Sequence, residues 1–298
     1  MRSFIVVTGA NEGYFALASD LLDSLRQSPT EIPFGVLDVG LAPAPRNSLQ
    51  ARGAIVAPAK WDLGGPARCP QGALAMFSRP FLPNYFPDFE TIVYLDADSW
   101  VQMPEAMAEL AQESTKADVA VVPDLHVAFP HLYSPASTLR TYLRATYESV
   151  AGKPDTLVDR VTLNSGVFAA HRESIFWRSW QYVLATKTEE RLRKVGGDPD
   201  YQLSLARPEE FFLEANSFNY AFHTGLYSIR PVASTYNWIC EFTMPLYDPA
   251  NGRLTEPVAP YEPIRVVHLC QAGRKAEFLF DRHGKRHPVS PRWKGVPA

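Results

Sequence analysis

Short apolar runs separated by helical patterns set the rhythm of the first half of the chain, as in βα units around a largely parallel sheet. Phe4-Ile5-Val6-Val7 predicts a first buried strand, and Thr8 to Gly13 a turn after it. Phe15, Ala18, Leu21, Leu22 and Leu25 then recur at three and four residues, which predicts a helix. Phe34 to Val39 and Ala54 to Val56 read as further strands, and Thr91 to Leu95 as the strongest strand of the chain. Pro104 suits the first turn of a helix through Glu105 to Gln112, and Asp118 to Val122 returns as strand.

The second half is less regular. Pro245, Pro249, Pro257, Pro260 and Pro263 punctuate an ordered loop that ends in a strand, Ile264 to Leu269. Glu209 to Phe222 reads as one helix whose core face is Phe211, Ala215, Phe218 and Phe222. No internal repeat, low-complexity tract or flexible linker interrupts the pattern, so a single α/β domain with elaborated loops is expected.

Composition fits a globular body: the 298 residues are 46% hydrophobic and 20% charged. The 29 basic and 32 acidic side chains nearly cancel, which argues against a nucleic-acid partner. The balance is uneven along the chain. Residues 271–298 hold seven Lys or Arg against Glu277 and Asp281, an excess of five positive charges, so the first 270 residues carry −8. This end reads as a solvated basic tail, or as an element that steers the protein to an anionic membrane surface or a lipid-linked acceptor. Cys69, Cys240 and Cys270 form no C-x-x-C pair, which fits a reducing compartment. Only four apolar residues follow Met1-Arg2-Ser3, too few for a signal-peptide core, and no stretch is long enough to cross a bilayer. A cytoplasmic location is expected, peripheral to a membrane at most.

The sharpest chemical feature is Tyr94-Leu95-Asp96-Ala97-Asp98-Ser99. Residues two apart on a strand share a face, so Asp96 and Asp98 project together at the carboxyl edge of an apolar strand, where open α/β sheets bind ligands. Two such carboxylates resist joint ionisation unless a cation sits between them. Alone, the D-x-D pair reads equally as an acidic turn. His268 ends a second apolar strand and suits a third ligand of a manganese-like ion, with Arg274 or Lys275 facing phosphates. Spacing cannot join it to Asp96, 172 residues away. Thr8-Gly9-Ala10-Asn11-Glu12-Gly13 resembles the nucleotide turn of short-chain dehydrogenases, but none of the 13 tyrosines has the lysine four residues on that hydride transfer by those enzymes uses. Asn164, Ser165 and Gly166 open an apolar run, with the glycine suited to close backbone approach. Glu214 and Asn216 lie on a helix flank that, by pattern alone, reads as a solvent edge.

Five motifs taken in order resemble family 8 glycosyltransferases, the GT-A group that includes glycogenin and bacterial lipopolysaccharide galactosyl- and glucosyltransferases. They are Thr8 to Tyr14 after the first strand with Ser78-Arg79, Tyr94 to Asp98, Leu163 to Val167, Glu214 to Asn219, and Val267-His268 with its basic follow-on. The resemblance implies a GT-A type nucleotide-sugar transferase fold over residues 1–275, a single Rossmann-like mixed sheet flanked by helices, with 276–298 as a basic C-terminal tail. It implies a hexosyltransferase that takes a UDP-sugar of glucose or galactose type, depends on Mn²⁺ or Mg²⁺, acts on a sugar or other hydroxyl acceptor, and retains the anomeric configuration. Asp96, Asp98 and His268 match the metal ligands. Thr8, Ala10, Asn11 and Tyr14 fall where base and ribose are held, and Arg79 and Asn164 match donor contacts. Glu214 matches the acidic position that hydrogen-bonds the transferred sugar. Two departures stand out. Glu214-Ala215 replaces the usual Asp-Gln, which leaves Asn216 as the nearest amide, and His268 to Lys275 offers either Arg274 or Lys275 as the cation beside the leaving diphosphate.

Competing readings are a nucleotide-sugar or carbohydrate binder of the same fold without turnover, kept alive by Ala215, and a sugar nucleotidyltransferase. The latter calls for a basic, glycine-rich loop after the first strand, whereas the first basic residue after Thr8 to Gly13 is Arg26. Acceptor recognition is assigned to loops at 126–160 and 236–262, where Tyr133, Tyr236, Trp238 and Phe242 are candidates to stack on sugar rings.

Overall fold

A computed structural model describes residues 2–65, 67–134, 137–151, 161–195, 198 and 200–293. Parts of the 126–160 loop, at 135–136 and 152–160, and the end of the basic tail from Lys294 lie outside the described residues.

The described residues form fourteen strands, among them β1 Arg2–Ala10, β2 Phe34–Asp38, β3 Ile55–Pro58, β4 Phe89–Leu95, β5 Ser99–Val101, β6 Val119–Pro123, β7 Leu163–His171, β8 Ile229–Pro231, β9 Trp238–Ile239, β10 Val266–His268, β11 Leu279–Phe280 and β12 Arg286–His287. The main sheet runs β3-β2-β1-β4-β7-β6-β8. β1, β2, β3 and β4 are mutually parallel, β6 and β8 pair in parallel, and β7 is antiparallel to both β4 and β6, so six of the seven strands run one way and the reversed β7 makes a mostly parallel sheet mixed. The helices that matter here are α1 Phe15–Leu25, α2 Glu105–Glu113, α3 Thr138–Ala151, α4 Ile175–Lys194, α5 Leu213–His223 and α6 Cys270–Lys275.

The uniform apolar runs of β1 and β4 follow from burial on both faces. Ile5 and Val7 point into one core with Tyr94, Phe168, Trp180 and Phe218, beneath α4 and α5. Val6 points the other way, to Val93, Leu95, Leu21 and Leu110, beneath α1 and α2. A third core gathers Trp100, Trp238, Val267, Leu279 and Val289. The basic C-terminal segment is tied in there: β11 pairs with β12, and the Trp293 ring lies 5.3 Å from that of Trp100. Among the described residues no helix is long and apolar enough to cross a membrane.

Two expectations need correction. The segment 126–160 is not all loop, because 138–151 forms α3. The single helix expected over Glu209 to Phe222 is broken at Phe212, between a turn of helix at Pro208–Phe211 and α5. The break re-phases the buried face to Leu213, Ser217, Phe218 and Ala221, leaves Phe211 40% exposed, and turns the flank of Glu214 and Asn216 inward.

A small second sheet, β5-β10-β9, joins the two ends of the site. β5 leaves β4 through the tight turn Asp96 to Ser99, in which Ser99 N–H donates to Asp96 O (2.9 Å). β10 pairs antiparallel with β5 and sets His268 opposite Ser99. Leu269 N–H donates to Asp98 O (2.9 Å), which closes the junction. Strand pairing thus supplies the link that sequence spacing could not.

Candidate functional site

A cavity of about 1100 Å³ opens at the carboxyl edge of β1, β4 and β6. Asn11, Tyr14, Arg79, Asp96, Asp98, Asn164, Glu214, Asn216, His268, Arg274 and Lys275 all line it. Thr8 and Ala10 do not; their side chains are buried in β1.

At one wall an imidazole stands close to two carboxylates. His268 Nε2 stands 3.4 Å from Asp98 Oδ1 and 3.8 Å from Asp96 Oδ2. Adjacent ligands of a six-coordinate ion with ~2.1 Å bonds stand roughly 3 Å apart, so modest closure of His268 Nε2 on either carboxylate oxygen lets the pair share a divalent cation. The opposite oxygens are taken by arginines: Arg79 Nη2 donates to Asp96 Oδ1 (2.9 Å) and Arg274 Nη2 to Asp98 Oδ2 (2.5 Å). Arg274 also lies over the Tyr14 ring and donates to its hydroxyl (3.1 Å), linking the β1 turn to the acidic pair. Burial alone raises the Asp98 pKa, but His268 and Arg274 beside it hold it well below the usual carboxylate range. Burial opposes charging His268, yet Cys270 and Asp98 prevail and raise its pKa well above the ordinary imidazole value. A cation entering this cluster therefore competes with a proton on Nε2.

The orientation of His268 is fixed from behind. Gly166 N–H donates to Asn164 Oδ1 (2.8 Å), which identifies that atom as the oxygen. Asn237 Nδ2 donates to the same oxygen (3.0 Å), so Asn237 presents Oδ1 to His268 Nδ1 (3.0 Å). Nδ1 must then carry a hydrogen, so Nε2 is the atom turned to the carboxylates, where it holds a proton or, once that proton is displaced, offers its lone pair to a cation. Asn164 thus supports the cluster as well as lining the cavity. Asn237→Ala is expected to weaken divalent-cation binding about 10–100-fold, as loss of a ligand's supporting hydrogen bond generally does. Calorimetric titration with Mn²⁺ checks this; unchanged affinity contradicts it.

A second polar cluster adjoins the first. Arg79, 5% exposed, donates from Nη1 to Ser165 O and Oγ (both 3.0 Å) and to Glu214 Oε1 (3.3 Å), with its guanidinium 4.4 Å from the Tyr94 ring centroid. One arginine therefore serves two carboxylates, and its shorter contact is with Asp96. Glu214 is left buried with weaker compensation, and burial pushes its carboxyl up to about 7 despite Arg79. A folded-state pKa above the unfolded value means the folded protein binds the extra proton, so stability falls as pH rises from about 4.5 toward 7. Glu214→Gln is expected to remove that slope, at most ~1.4 kcal/mol per pH unit. Denaturant midpoints of both proteins across this range test it; parallel pH profiles contradict it. Asn216 Nδ2 is buried without a hydrogen-bond partner and belongs to a residue of the cavity wall.

Two residues of the site escaped the sequence reading. Asp124 lines the cavity just past β6, and burial pushes its carboxyl up to about 7. The strand-end rule that singles out Asp96 applies equally to Asp124. Asn237, between the aromatics Tyr236 and Trp238, left no comparable signal. Of the candidate stacking aromatics, Tyr133 and Phe242 line the cavity, whereas Trp238 is fully buried in the third core and Tyr236 stacks with Arg265.

No family model and no curated protein matches the chain. Solved structures do. The galactosyltransferase LgtC, in complex with donor and acceptor sugar analogues, superposes with a TM-score of 0.54 over 90% of this chain and 87% of its own, at 18% identity. Mouse xyloside xylosyltransferase 1 gives 0.51 over 90% and 97%, at 13% identity. The chain has a GT-A fold. GlyE of Streptococcus pneumoniae, at 0.50, shares it over 95% of this chain and 58% of its own, at 12% identity. Within this GT-A fold the acidic turn Asp96 to Ser99 closes the central strand β4, and the β5-β10 pair brings His268 to it.

Proposed function

We propose that the chain is a divalent-cation-dependent glycosyltransferase that moves a hexose from a UDP-sugar to a hydroxyl acceptor with retention of anomeric configuration. The observation that carries this reading is the approach of His268 Nε2 to both Asp98 Oδ1 and Asp96 Oδ2 on the wall of a cavity large enough for a nucleotide sugar.

These three residues would hold Mn²⁺ or Mg²⁺, which as a Lewis acid offsets the negative charge that grows on the departing diphosphate. Arg274 and Lys275 add positive charge on the same side, with Arg274 already positioned by Asp98 and Tyr14. Asn11 and Tyr14 form the wall that receives the base and ribose. Glu214, anchored by Arg79 and Ser165, is placed to hydrogen-bond a hydroxyl of the transferred sugar, and its near-neutral carboxyl serves as donor or acceptor. Asn216 offers an unpaired amide N–H to the same cavity, the role left open by Ala215. Asp96, Asp98 and Glu214 each accept a hydrogen bond from an arginine, and Glu241 accepts from Ala272 N–H, so attack by the acceptor on the face the diphosphate leaves is the simpler route. Tyr133 and Phe242 are positioned to stack on the acceptor.

A second reading, a nucleotide-sugar binder without turnover, is favoured by Ala215 alone. Incubation with a panel of UDP-hexoses and simple sugar acceptors, with and without Mn²⁺, and NMR of the product separate the two. The proposal expects Mn²⁺-dependent release of UDP and a product with the donor's anomeric configuration. Binding of UDP-sugars with no UDP release supports the binder, and an inverted product overturns the retaining mechanism.

A further inference from the structure

The cation cluster contains one more group with donor chemistry, a thiol. Cys270 starts α6 two residues after His268, and its Sγ lies with one atom each of Asp98 and His268 in a set mutually within 4.8 Å. Cys270 lines the same cavity and adopts φ +46°, so the backbone turns there in the left-handed region. Asp98 and His268 are buried, and Cys270 is half-buried on the cavity side. Beside Asp96 and His268, the missing side chain of Gly166 leaves a cradle: a Cβ there would sit 2.5 Å from Asp96 Oδ2 and 2.9 Å from His268 Cε1. Hard carboxylate oxygens, a borderline imidazole and a soft sulfur therefore surround one small volume.

We propose that Cys270 is a further protein ligand of the divalent cation, and that its sulfur biases the site toward thiophilic ions such as Co²⁺ and Zn²⁺, and toward Mn²⁺ relative to the harder Mg²⁺. Thiolate ligands select softer metals, whereas Mg²⁺ prefers oxygen donors throughout. On binding, the thiol proton leaves to solvent and a sulfur lone pair forms the bond to the ion, with no change of oxidation state. The inference rests on the cation site of the proposed function and adds to it a ligand and a selectivity. Cys69 and Cys240 are both buried, and only Cys270 of the three cysteines belongs to the cluster.

The test is Co²⁺ titration of the full-length, metal-stripped protein, read by near-ultraviolet sulfur-to-cobalt charge transfer and by calorimetry. The wild type and Cys240→Ser are expected to gain this band at one equivalent of Co²⁺. Cys270→Ser is expected to bind Co²⁺ more weakly, to lose the band, and to shift the Mn²⁺ over Mg²⁺ preference toward Mg²⁺. Co²⁺ binding without a sulfur band, or a band that persists in Cys270→Ser, overturns the inference while leaving the cation site standing. Absence of any Co²⁺ or Mn²⁺ binding to the wild type overturns both. If Cys270→Ser does not fold, alkylation of the wild type mapped by mass spectrometry reads the same contact: Mn²⁺ should slow modification of Cys270, and an unchanged rate contradicts the proposal.

Discussion

Asp98→Asn is expected to reduce kcat/KM for the UDP-sugar about 10²–10⁴-fold and to abolish the response to Mn²⁺. The magnitude is the several kcal/mol of charge stabilisation a Lewis-acid cation supplies, at a factor of ten for each ~1.4 kcal/mol. The variant keeps the shape of the side chain but withdraws the charge on which His268 and Arg274 converge. Stability should fall as well. The depressed pKa of Asp98 means its ionised form stabilises the fold at all pH values above the ordinary carboxylate range, a contribution lost only as pH drops toward its low folded value. Removing one partner of such a buried cluster costs about 3–5 kcal/mol. Paired rate measurements in Mn²⁺ and in EDTA, with denaturation in EDTA, check both effects. A variant that still responds to Mn²⁺ with near-normal turnover would remove Asp98 from the cation site.

Gly166→Ala is the second large effect, and it acts through space instead of charge. The added methyl would stand 2.5 Å from Asp96 Oδ2, 2.7 Å from Asn164 Oδ1 and 2.9 Å from His268 Cε1. The backbone cannot retreat, because Gly166 O accepts from Asp96 N–H (2.8 Å) and β7 is held between β4 and β6. The three side chains must move instead, and each either belongs to the proposed cation site or orients a group that does. Displacement of about 1 Å at such a site costs roughly 10²-fold in rate. The overpacking penalty on the fold is about 1–3 kcal/mol, so the variant should remain folded at room temperature. Mn²⁺ affinity, kcat/KM and Tm measured together distinguish this from simple unfolding; a folded variant with wild-type cation affinity contradicts the geometry.

The parts of the fold legible in the sequence are those where burial leaves a plain pattern. β1 and β4 are packed on both faces, so their sequences are nearly unbroken apolar runs. The helix α4 is harder to read, because its first half buries Phe176, Trp177 and Trp180 while its second half is largely Lys, Arg and Glu. Asp96 and Asp98 stand out because charges follow directly on a buried strand. Glu214 does not, since its partner Arg79 lies 135 residues upstream and its helix begins at an unforeseen break. His268 illustrates the same limit: it reaches the acidic turn only through pairing of β10 with β5, a long-range contact that no local pattern encodes.

Calorimetric titration of UDP into the protein with Mn²⁺ and again in EDTA tests the central claim most directly, that the Asp96–Asp98–His268 cluster holds a cation for a nucleotide diphosphate. The account predicts UDP binding in Mn²⁺ that weakens by at least about tenfold, ~1.4 kcal/mol, when the ion is removed. Equal UDP affinity in Mn²⁺ and EDTA, or no UDP binding in either, would contradict it.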